Sequence, residues 1–294
     1  MQACCNFFSC SKDWVIEIAR QSALQVDQGK YMQPRNTRTR RILTAALLAC
    51  VGPTMAQAEG LRIPEYPQEN ESQWSLGAGI GFERSPYRDV GNETSAIPLL
   101  GFQNRYVRFF GTTFDAKLPS AGPVDFSIRA RYALGDGYKS SDSSYLSGMD
   151  KREGGLWLGL ASTWHSGVAD VSLEWMRAVG KSKGNRIKLA VERSFAATNR
   201  IHITPYAGIQ WSDSKDVDYY FGVKDSEVTA ERARYEGKSS TNINAGIRID
   251  YTLTRHQNLF LDVGVQRWGS GVTDSPLVRR STSPSLRMGY LYRF

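Results

Sequence analysis

The chain lacks the residues and segments that mark thiol enzymes, disulfide-rich proteins and helical membrane proteins. Its four cysteines, Cys4, Cys5, Cys10 and Cys50, all lie before residue 59. The rest of the chain therefore offers neither a disulfide framework nor a thiol active site. No run of 18 or more apolar residues occurs, so the sequence predicts no membrane-spanning helix.

Signs of catalysis and of nucleic-acid binding are also sparse. The three histidines, His165, His202 and His256, are interpreted as polar interior or turn residues. A catalytic pair of Ser162 with His165 is the alternative. No H-E-x-x-H, C-x-x-C, P-loop or dinucleotide-binding pattern occurs. The sequence therefore predicts no enzyme, no cofactor and no metal centre.

The charge balance points the same way. The net charge of the whole chain is +8, and residues 1–58 hold seven of the 37 Lys/Arg and three of the 29 Asp/Glu. The remaining net charge of +4 is too mild to indicate a nucleic-acid partner. An acidic segment, residues 213–227, leaves a divalent-cation site open as an alternative, although its spacing does not match an EF-hand. Its acids are Asp213, Asp216, Asp218, Asp225 and Glu227.

Residues 32–58 have the three parts of a secretory signal peptide. A basic start (Arg35, Arg38, Arg40 and Arg41) precedes an apolar stretch at residues 42–49, and an Ala-Gln-Ala cleavage site follows at residues 56–58. Signals of this kind stand at the N-terminus of a precursor. The sequence therefore predicts that translation starts at Met32 and that residues 1–31 are a spurious upstream extension.

The mature chain is expected to begin at Glu59, with residues 59–73 as a periplasmic lead-in. The residues before Cys50 loosely resemble a lipobox, so a lipoprotein anchored at Cys50 is the alternative. The complete Ala-Gln-Ala site favours the first interpretation.

Beyond residue 73, apolar and polar residues alternate with a period of two. In residues 124–134, for example, Val124, Phe126 and Ile128 alternate with Asp125, Ser127 and Arg129. The runs are about 10 residues long, which suits a tilted membrane-crossing strand. Short turns alternate with long polar loops at residues 135–154, 213–240 and 268–283. The pattern predicts an all-β, closed antiparallel transmembrane barrel over residues 74–294.

The number of strands follows less directly. Eleven strands are predicted, at residues 74–84, 95–103, 105–118, 123–134, 155–165, 168–178, 186–196, 200–212, 241–253, 258–268 and 284–294. Because bacterial single-chain barrels have even counts, twelve strands are the first choice and ten the second. The missing strand is expected within residues 213–240. Pro98 and Pro205 interrupt two strands and predict a bulge or weak pairing there.

The last ten residues are the most specific feature. Leu286, Met288, Tyr290, Tyr292 and Phe294 share one face of a strand that ends at the chain terminus. A terminal aromatic with aromatics two and four residues before it resembles the signal that the barrel assembly machinery reads. Tyr290, Tyr292 and Phe294 are therefore interpreted as that signal, and the localisation as the outer membrane, with its lipid as a partner.

The polar faces of the predicted strands carry both signs of charge. Buried charges need partners, so a mixed interior predicts a narrow or plugged lumen closed by ion pairs, while a hydrated polar pore is the alternative. The predicted interior charges are Asp125, Arg129, Arg131, Asp170, Glu174, Arg186, Lys188, Glu192, Arg248, Asp250, Asp262 and Arg287.

Several short motifs together resemble the MipA/OmpV family of outer-membrane proteins over nearly the whole mature chain. In order, they are Gly77, Gly79 and Gly81 followed by Ser85-Pro86-Tyr87; Ile97-Pro98-Leu99-Leu100; Arg108-Phe109-Phe110; Tyr219-Tyr220-Phe221-Gly222-Val223; Asp274-Ser275-Pro276-Leu277-Val278; and the closing Gly289-Tyr290-Leu291-Tyr292-Arg293-Phe294. The pair Arg279-Arg280 departs from the more acidic or polar stretch expected there.

The resemblance implies a function that alternation does not show. It implies a scaffold without catalytic residues that joins a murein lytic transglycosylase to a bifunctional penicillin-binding protein, and so couples peptidoglycan cutting to synthesis. Surface antigens or adhesins are a second role in the family. A narrow pore for small solutes is the alternative that the residues themselves leave open.

Overall fold

A computed structural model describes residues 72–294. The upstream extension, the signal peptide and the lead-in before residue 72 lie outside the described residues. Most of the described chain is β-strand, as the period-two alternation predicts. The strands are β1 Gln73–Arg84, β2 Asn92–Gln103, β3 Val107–Phe110, β4 Thr113–Ala121, β5 Val124–Tyr132, β6 Gly137–Tyr138, β7 Arg152–Glu153, β8 Leu156–His165, β9 Asp170–Ala178, β10 Asn185–Glu192, β11 Phe195–Ala196, β12 Ile201–Ser212, β13 Ser240–Thr254, β14 Gln257–Arg267 and β15 Thr282–Arg293.

Twelve strands close into an antiparallel barrel, which confirms the first choice of strand number. The two-residue β11 pairs with β12 in the same register as β10 and so continues that strand. Strands β6 and β7 form a separate hairpin outside the wall. The first and last strands pair directly, from Ser75 opposite Arg293 to Glu83 opposite Ser285. Closure therefore leaves neither β1 nor β15 with a free edge.

The twelfth strand does not lie where the sequence pattern placed it. The predicted strand 105–118 is two strands, β3 and β4, joined at Gly111, while residues 213–240 contain helix α1 (Ser214–Phe221). Gly111 has φ +59°, a conformation that glycine adopts freely and that lets the chain reverse within two residues. The apolar alternation continues across this turn, so periodicity alone does not reveal it.

Both prolines sit where a neighbouring strand is interrupted. Strand β3 pairs with β2 only from Gly101 to Gln103, so Pro98 faces no strand on that side. The backbone of Pro205 faces Arg193, which lies in the gap between β10 and β11, and its carbonyl accepts from the Arg193 N–H at 3.3 Å. A missing N–H costs little where one neighbouring strand is interrupted, which explains why both strands tolerate proline. On the other side, Pro98 pairs with Ala78 and Pro205 with Ile247 in unbroken register, so weak pairing on one side, and not a bulge, is what the structure shows.

The outer surface of the barrel is apolar. Leucine, isoleucine, valine and aromatic side chains of every long wall strand project outward and are exposed, for example Leu160, Leu189 and Ile247. Exposed tryptophans stand near the strand ends: Trp74 and Trp164 at one end and Trp211 at the other. Such a band with aromatic borders is the surface that a lipid bilayer requires.

The two ends of the barrel differ. The described N-terminal strand begins, and the last strand ends, at the same end of the barrel, where the connections are short; we call it the turn end. The long connections lie at the other, the loop end, and contain β6, β7, α1 and a short helix α2 (Ser270–Thr273). Neither α-helix in the described residues is long and apolar enough to cross a membrane.

Candidate functional site

The interior of the barrel contains three polar cavities that decrease in volume towards the loop end. The cavity at the turn end has about 370 Å³ and reaches Arg105, His165 and His202. The middle cavity has about 160 Å³. The cavity below the loops has about 70 Å³ and is bounded by Phe221 and Trp268. Of these three cavities, the one below the loops is the smallest.

A network centred on Arg129 holds one wall of the lumen. The Arg129 Nε lies 2.6 Å from Asp115 Oδ1, and Arg108 Nη2 lies 2.8 Å from Asp115 Oδ2. Arg131 Nη2 lies 2.8 Å from Glu174 Oε2, a carboxylate that Arg129 also contacts. The five side chains come from β3, β4, β5 and β9, so the network joins strands that are not all neighbours. Charge-assisted bonds of this kind are strong where water is scarce.

A second network lies on the opposite wall. The buried carboxylate of Asp262 accepts a hydrogen bond from the Tyr206 hydroxyl at 3.2 Å and has Arg248 Nε at 3.7 Å. Arg287 stands between Asp262, at 4.0 Å, and Glu83, at 3.5 Å. Both networks border the middle cavity. Charges of both signs thus face each other across the narrowing lumen.

His165 occupies the turn end of the lumen, clamped between two carboxylates. Its Nδ1 lies 2.8 Å from Asp170 Oδ1 and its Nε2 lies 3.2 Å from Asp125 Oδ2. Since both ring nitrogens face carboxylates, neither one is placed to activate Ser162. The catalytic pair considered from the sequence is not assembled.

Two serine patterns also lack a catalytic setting. Residues 180–184 read G-x-S-x-G, but they form the loop between two antiparallel strands, not the strand-to-helix turn on which that motif depends. Ser212 precedes Lys215 by three residues, yet Ser212 is buried at the end of β12, Lys215 is exposed on α1, and no hydrogen bond joins them in the described structure.

Of the twelve interior charges predicted from the sequence, eleven line one of the three cavities. The twelfth, Asp262, is buried behind Arg248 and Arg287. Arg186 lies apart from the others, just below the loops, where it contacts Asp136 at 3.1 Å and Asp216 at 2.8 Å.

The sequence prediction missed several interior charges. Those that line the cavities are Asp115, Arg108, Glu83, Arg105, Lys117, Glu93, Asp136 and Asp216. Asp115 and Arg108 lie on either side of the β3–β4 turn, and treating residues 105–118 as one strand hid the face to which they belong. Glu83 follows the alternating Gly77, Gly79 and Gly81, whose interior face has no side chains to mark it. The contact between Glu83 and Arg287 joins two strands that are far apart in the sequence, so periodicity does not predict it.

The long loops fold into a compact cap with its own apolar core, which the hydrophobic periodicity does not predict. Twelve buried residues from four loops pack together, with Leu146, Val272 and Leu277 at most 1% exposed. The full set is Tyr87, Val90, Tyr138, Leu146, Met149, Val217, Tyr220, Phe221, Val223, Val272, Leu277 and Val278. These apolar residues are spread over four polar segments, so none of the segments shows a periodic pattern.

Buried arginines fasten the loops of the cap to one another. Arg152 Nη2 donates to both carboxylate oxygens of Glu227 at 2.9 Å. Arg232 donates to the backbone carbonyls of Glu227, at 2.9 Å, and Ser147, at 3.2 Å, and also to that of Tyr145. These bonds connect loop 133–155 to loop 213–239, and both loops cross the barrel mouth.

The acidic segment 213–227 takes part in the hydrogen bonds and ion pairs that hold the cap together. Asp213 accepts from the backbone N–H of Asp216 at 2.9 Å and so caps α1, and Glu227 is paired with Arg152. Asp216 pairs with Arg186. No group of His, Cys, Asp and Glu suited to a metal ion exists among the described residues. Asp218 accepts from the Gly237 N–H at 2.8 Å, and Asp225 lies 3.3 Å from Arg234. Each of the five carboxylates considered for a cation thus has a partner within the protein.

The closing seam carries the predicted assembly signal. Tyr290 lies opposite Ala78 and Tyr292 opposite Leu76, while the Phe294 N–H donates to the Trp74 carbonyl at 3.0 Å. The Phe294 ring packs edge-on against Tyr292 at 5.1 Å and is 70% exposed. A protruding terminal aromatic at the edge of the last strand is accessible to another protein before the barrel closes.

Comparison with known proteins decides the family. The family model of MltA-interacting protein MipA matches residues 76–294. The chain belongs to the MipA family. Omp26La of Vibrio anguillarum, an outer membrane protein, is 26% identical over 264 residues, covering 86% of this chain and 97% of the relative. The MltA-interacting protein of Escherichia coli K12 is 24% identical over 227 residues, covering 76% and 91%.

Solved structures that align with this chain include an outer-membrane channel of Pseudomonas putida F1, with a TM-score of 0.41, 11% identity and coverage of 78% of this chain and 99% of that one. The NanC porin aligns with a TM-score of 0.40 and 8% identity, covering 74% and 98%. This member of the MipA family is an outer-membrane β-barrel, and no relative named here bears the name of an enzyme. Its turn end is periplasmic and its cap extracellular, since outer-membrane barrels place long loops outside.

The cap explains two of the sequence motifs that this chain shares with the family. Tyr220, Phe221 and Val223 of one motif, and Leu277 and Val278 of another, are buried in the core of the cap. The Ser275 hydroxyl donates to the Phe221 carbonyl at 2.6 Å and joins the two motifs. These segments are structural parts of the cap.

The Arg129 network predicts an order of sensitivity to substitution. Glu174→Gln leaves Asp115 as the one acid among three arginines and is expected to lower the free energy of unfolding by about 3–5 kcal/mol. Arg129→Gln leaves two arginines with two acids and should cost less. Arg279→Gln removes an exposed pair with Asp89 and should cost at most about 1 kcal/mol.

Urea unfolding in detergent, followed by heat-modifiable migration, measures the three variants. The network has no structural importance if Glu174→Gln unfolds at the same urea concentration as Arg279→Gln.

The tyrosines of the cap predict an alkaline limit to its stability. Burial raises the pKa values of Tyr87, Tyr138 and Tyr220 well above the ordinary value. Their neutral forms contribute stability that is complete below about pH 10, the pKa of an unfolded tyrosine, and is lost as the pH rises through the raised values. Tyrosinate absorbance should show a late-titrating group that decreases in Tyr220→Phe. Titration of every tyrosine near pH 10 would mean that the cap has no closed core.

Proposed function

We propose that this protein is a closed, non-enzymatic outer-membrane barrel that serves as a scaffold for periplasmic enzymes of peptidoglycan metabolism. The observation that carries the proposal is the cap of four packed loops above a lumen lined by ion pairs. A cap with its own apolar core covers the extracellular end, and ion pairs narrow the middle. A barrel of this design is suited to anchor other proteins in the membrane and poorly suited to pass solutes.

The periplasmic rim supplies a surface for a partner. In the described structure the short turns contain three exposed arginines, Arg105, Arg200 and Arg255, and no aspartate or glutamate. A fourth exposed arginine, Arg193, lies nearby in the gap between β10 and β11. Tyr106, 63% exposed, and Phe195, 45% exposed, stand among them. Arginine with exposed aromatics is the composition of interface hot spots, and the charge favours an acidic partner.

The kind of partner is suggested by a relative. One family member is named for its interaction with MltA. We extend that relation to this chain as a proposal: the basic rim binds a murein lytic transglycosylase and a penicillin-binding protein. A scaffold that holds a hydrolase beside a synthase raises their effective concentration near each other without any chemistry of its own.

A narrow pore for small solutes is the second candidate. The turn-end cavity of about 370 Å³, with its polar lining, favours it. This cavity narrows towards the cap, so on the present account it is a dead end.

The scaffold predicts bridging between the two enzymes. The protein, purified from outer membranes and immobilised, should retain the lytic transglycosylase and the penicillin-binding protein of the same organism together. The variant Arg105→Gln/Arg193→Gln/Arg200→Gln/Arg255→Gln should retain roughly tenfold less or lower, since rim charges act through electrostatic complementarity. The matched control Lys151→Gln/Lys224→Gln/Arg234→Gln/Lys238→Gln removes four exposed charges at the loop end and should bind normally.

Retention of neither enzyme by the folded, unchanged protein overturns the scaffold proposal. Equal losses in the rim variant and the loop-end control would remove the periplasmic rim as the binding surface.

A further inference from the structure

A cluster of basic residues surrounds the β9–β10 hairpin at the extracellular border of the membrane band. Arg177 is exposed near the end of β9, and Lys181 and Lys183 are exposed in the loop that follows. Lys215, on the first turn of α1, is close by, because Gly184 of the hairpin packs against Asp216. We call Arg177, Lys181 and Lys183 the basic hairpin.

The surface directly beneath the basic hairpin is apolar. Two residues below Arg177 on the same strand, Trp175 is 42% exposed. On the neighbouring strands, Leu158 and Ile187 are 44% and 41% exposed, and Trp211 on β12 is 39% exposed. The polar-to-apolar change thus occurs within two residues, and tryptophans mark it.

Acidic residues neutralise this cluster only in part. Glu153 contacts Lys181 at 3.2 Å and also pairs with Lys151, so one carboxylate serves two lysines. Asp213 and Asp216, in contrast, are engaged by Asn185 and by Arg186. Arg177 and Lys183 have no ion pair in the described structure. The hairpin therefore presents positive charge at the level of lipid headgroups.

The backbone conformation at Lys183 is energetically unfavourable for a lysine. Lys183 has φ +51°, a conformation that few residues other than glycine and asparagine adopt readily. Lysine there directs a long cationic side chain from the tip of a tight turn. A neutral residue suited to the conformation would satisfy the fold alone.

We propose that the basic hairpin binds the phosphate groups of an acidic glycolipid in the outer leaflet. The acyl chains lie along Trp175, Leu158 and Ile187, and the phosphates meet Arg177, Lys181 and Lys183. Arg177 supplies a planar fork that matches phosphate oxygens, and the lysines supply point charges. A free phosphate ion would gain the charges without the apolar strip, so a lipid fits the whole surface.

The test measures binding of diphosphoryl lipid A to the purified protein in detergent by native mass spectrometry. The variant Arg177→Gln/Lys181→Gln/Lys183→Asn should bind roughly 10- to 100-fold more weakly, since each cation near an anionic headgroup contributes about tenfold at most. Asparagine is chosen at residue 183 because it tolerates positive φ. The control Lys224→Gln/Arg234→Gln/Lys238→Gln removes the same charge from the cap and should bind within about twofold of the unchanged protein.

Two further measurements distinguish binding of a phosphorylated lipid from binding of free phosphate or of acyl chains alone. Inorganic phosphate at millimolar concentration should not displace the lipid, and dephosphorylated lipid should bind the unchanged protein as weakly as diphosphoryl lipid binds the hairpin variant. If that variant fails to show heat-modifiable folding, the single change Lys183→Asn replaces it, with an expected loss of several-fold. Unchanged binding by a folded hairpin variant, or an equal loss in the control, overturns the proposal.

Discussion

The structure depends on one constraint: in hydrocarbon, each backbone N–H and C=O needs a partner within the protein. Pairing of β1 with β15 meets this constraint by joining the two ends of the sheet. The chain terminus itself takes part, since the Phe294 N–H bonds to the Trp74 carbonyl. Closure then divides the side chains by the strand period, with apolar residues towards lipid and polar residues towards the lumen.

The charged side chains of the interior need partners, and the structure supplies such partners both in the lumen and in the cap. Twelve strands enclose a lumen narrow enough for arginine and carboxylate side chains to reach each other from different strands, as Arg129 reaches Asp115 and Glu174. At the loop end, Arg152 pairs with the carboxylate of Glu227, and Arg232 donates to the carbonyl of Ser147, so each bond joins two different loops. In both regions the charges hold separate segments together. The same interactions that satisfy buried charge also reach across the lumen and join the loops, which supports the proposal of a closed scaffold.

The sequence was informative where a local rule decides the structure. Alternation over residues such as Val124, Phe126 and Ile128 predicted the strands and their outward faces, and the last strand predicted closure. The rule failed at Gly111, where the alternation runs unbroken through a turn, so that two strands were predicted as one. Because bacterial barrels have an even number of strands, the missing strand was then wrongly expected in residues 213–240. The turn depends on backbone conformation, which a hydrophobic pattern does not record.

The interior and the cap were predictable to different degrees. A polar face showed that Arg129 and Glu174 point inward, but their pairing depends on how far the strands are shifted around the barrel. The cap was not predictable at all from periodicity, because Tyr87, Tyr138, Phe221 and Leu277 come from four distant segments and form a core only in three dimensions. The family motifs around Phe221 and Leu277 were the available signal, and the structure gives their physical reason.

The central claim, a closed lumen, is tested most directly by planar-bilayer conductance of the protein purified from outer membranes and shown to be folded by heat-modifiable migration. A barrel with a closed lumen offers no continuous aqueous path, so we expect a silent bilayer at neutral pH. Steady single-channel steps from the folded, unchanged protein would contradict it and would establish a hydrated pore.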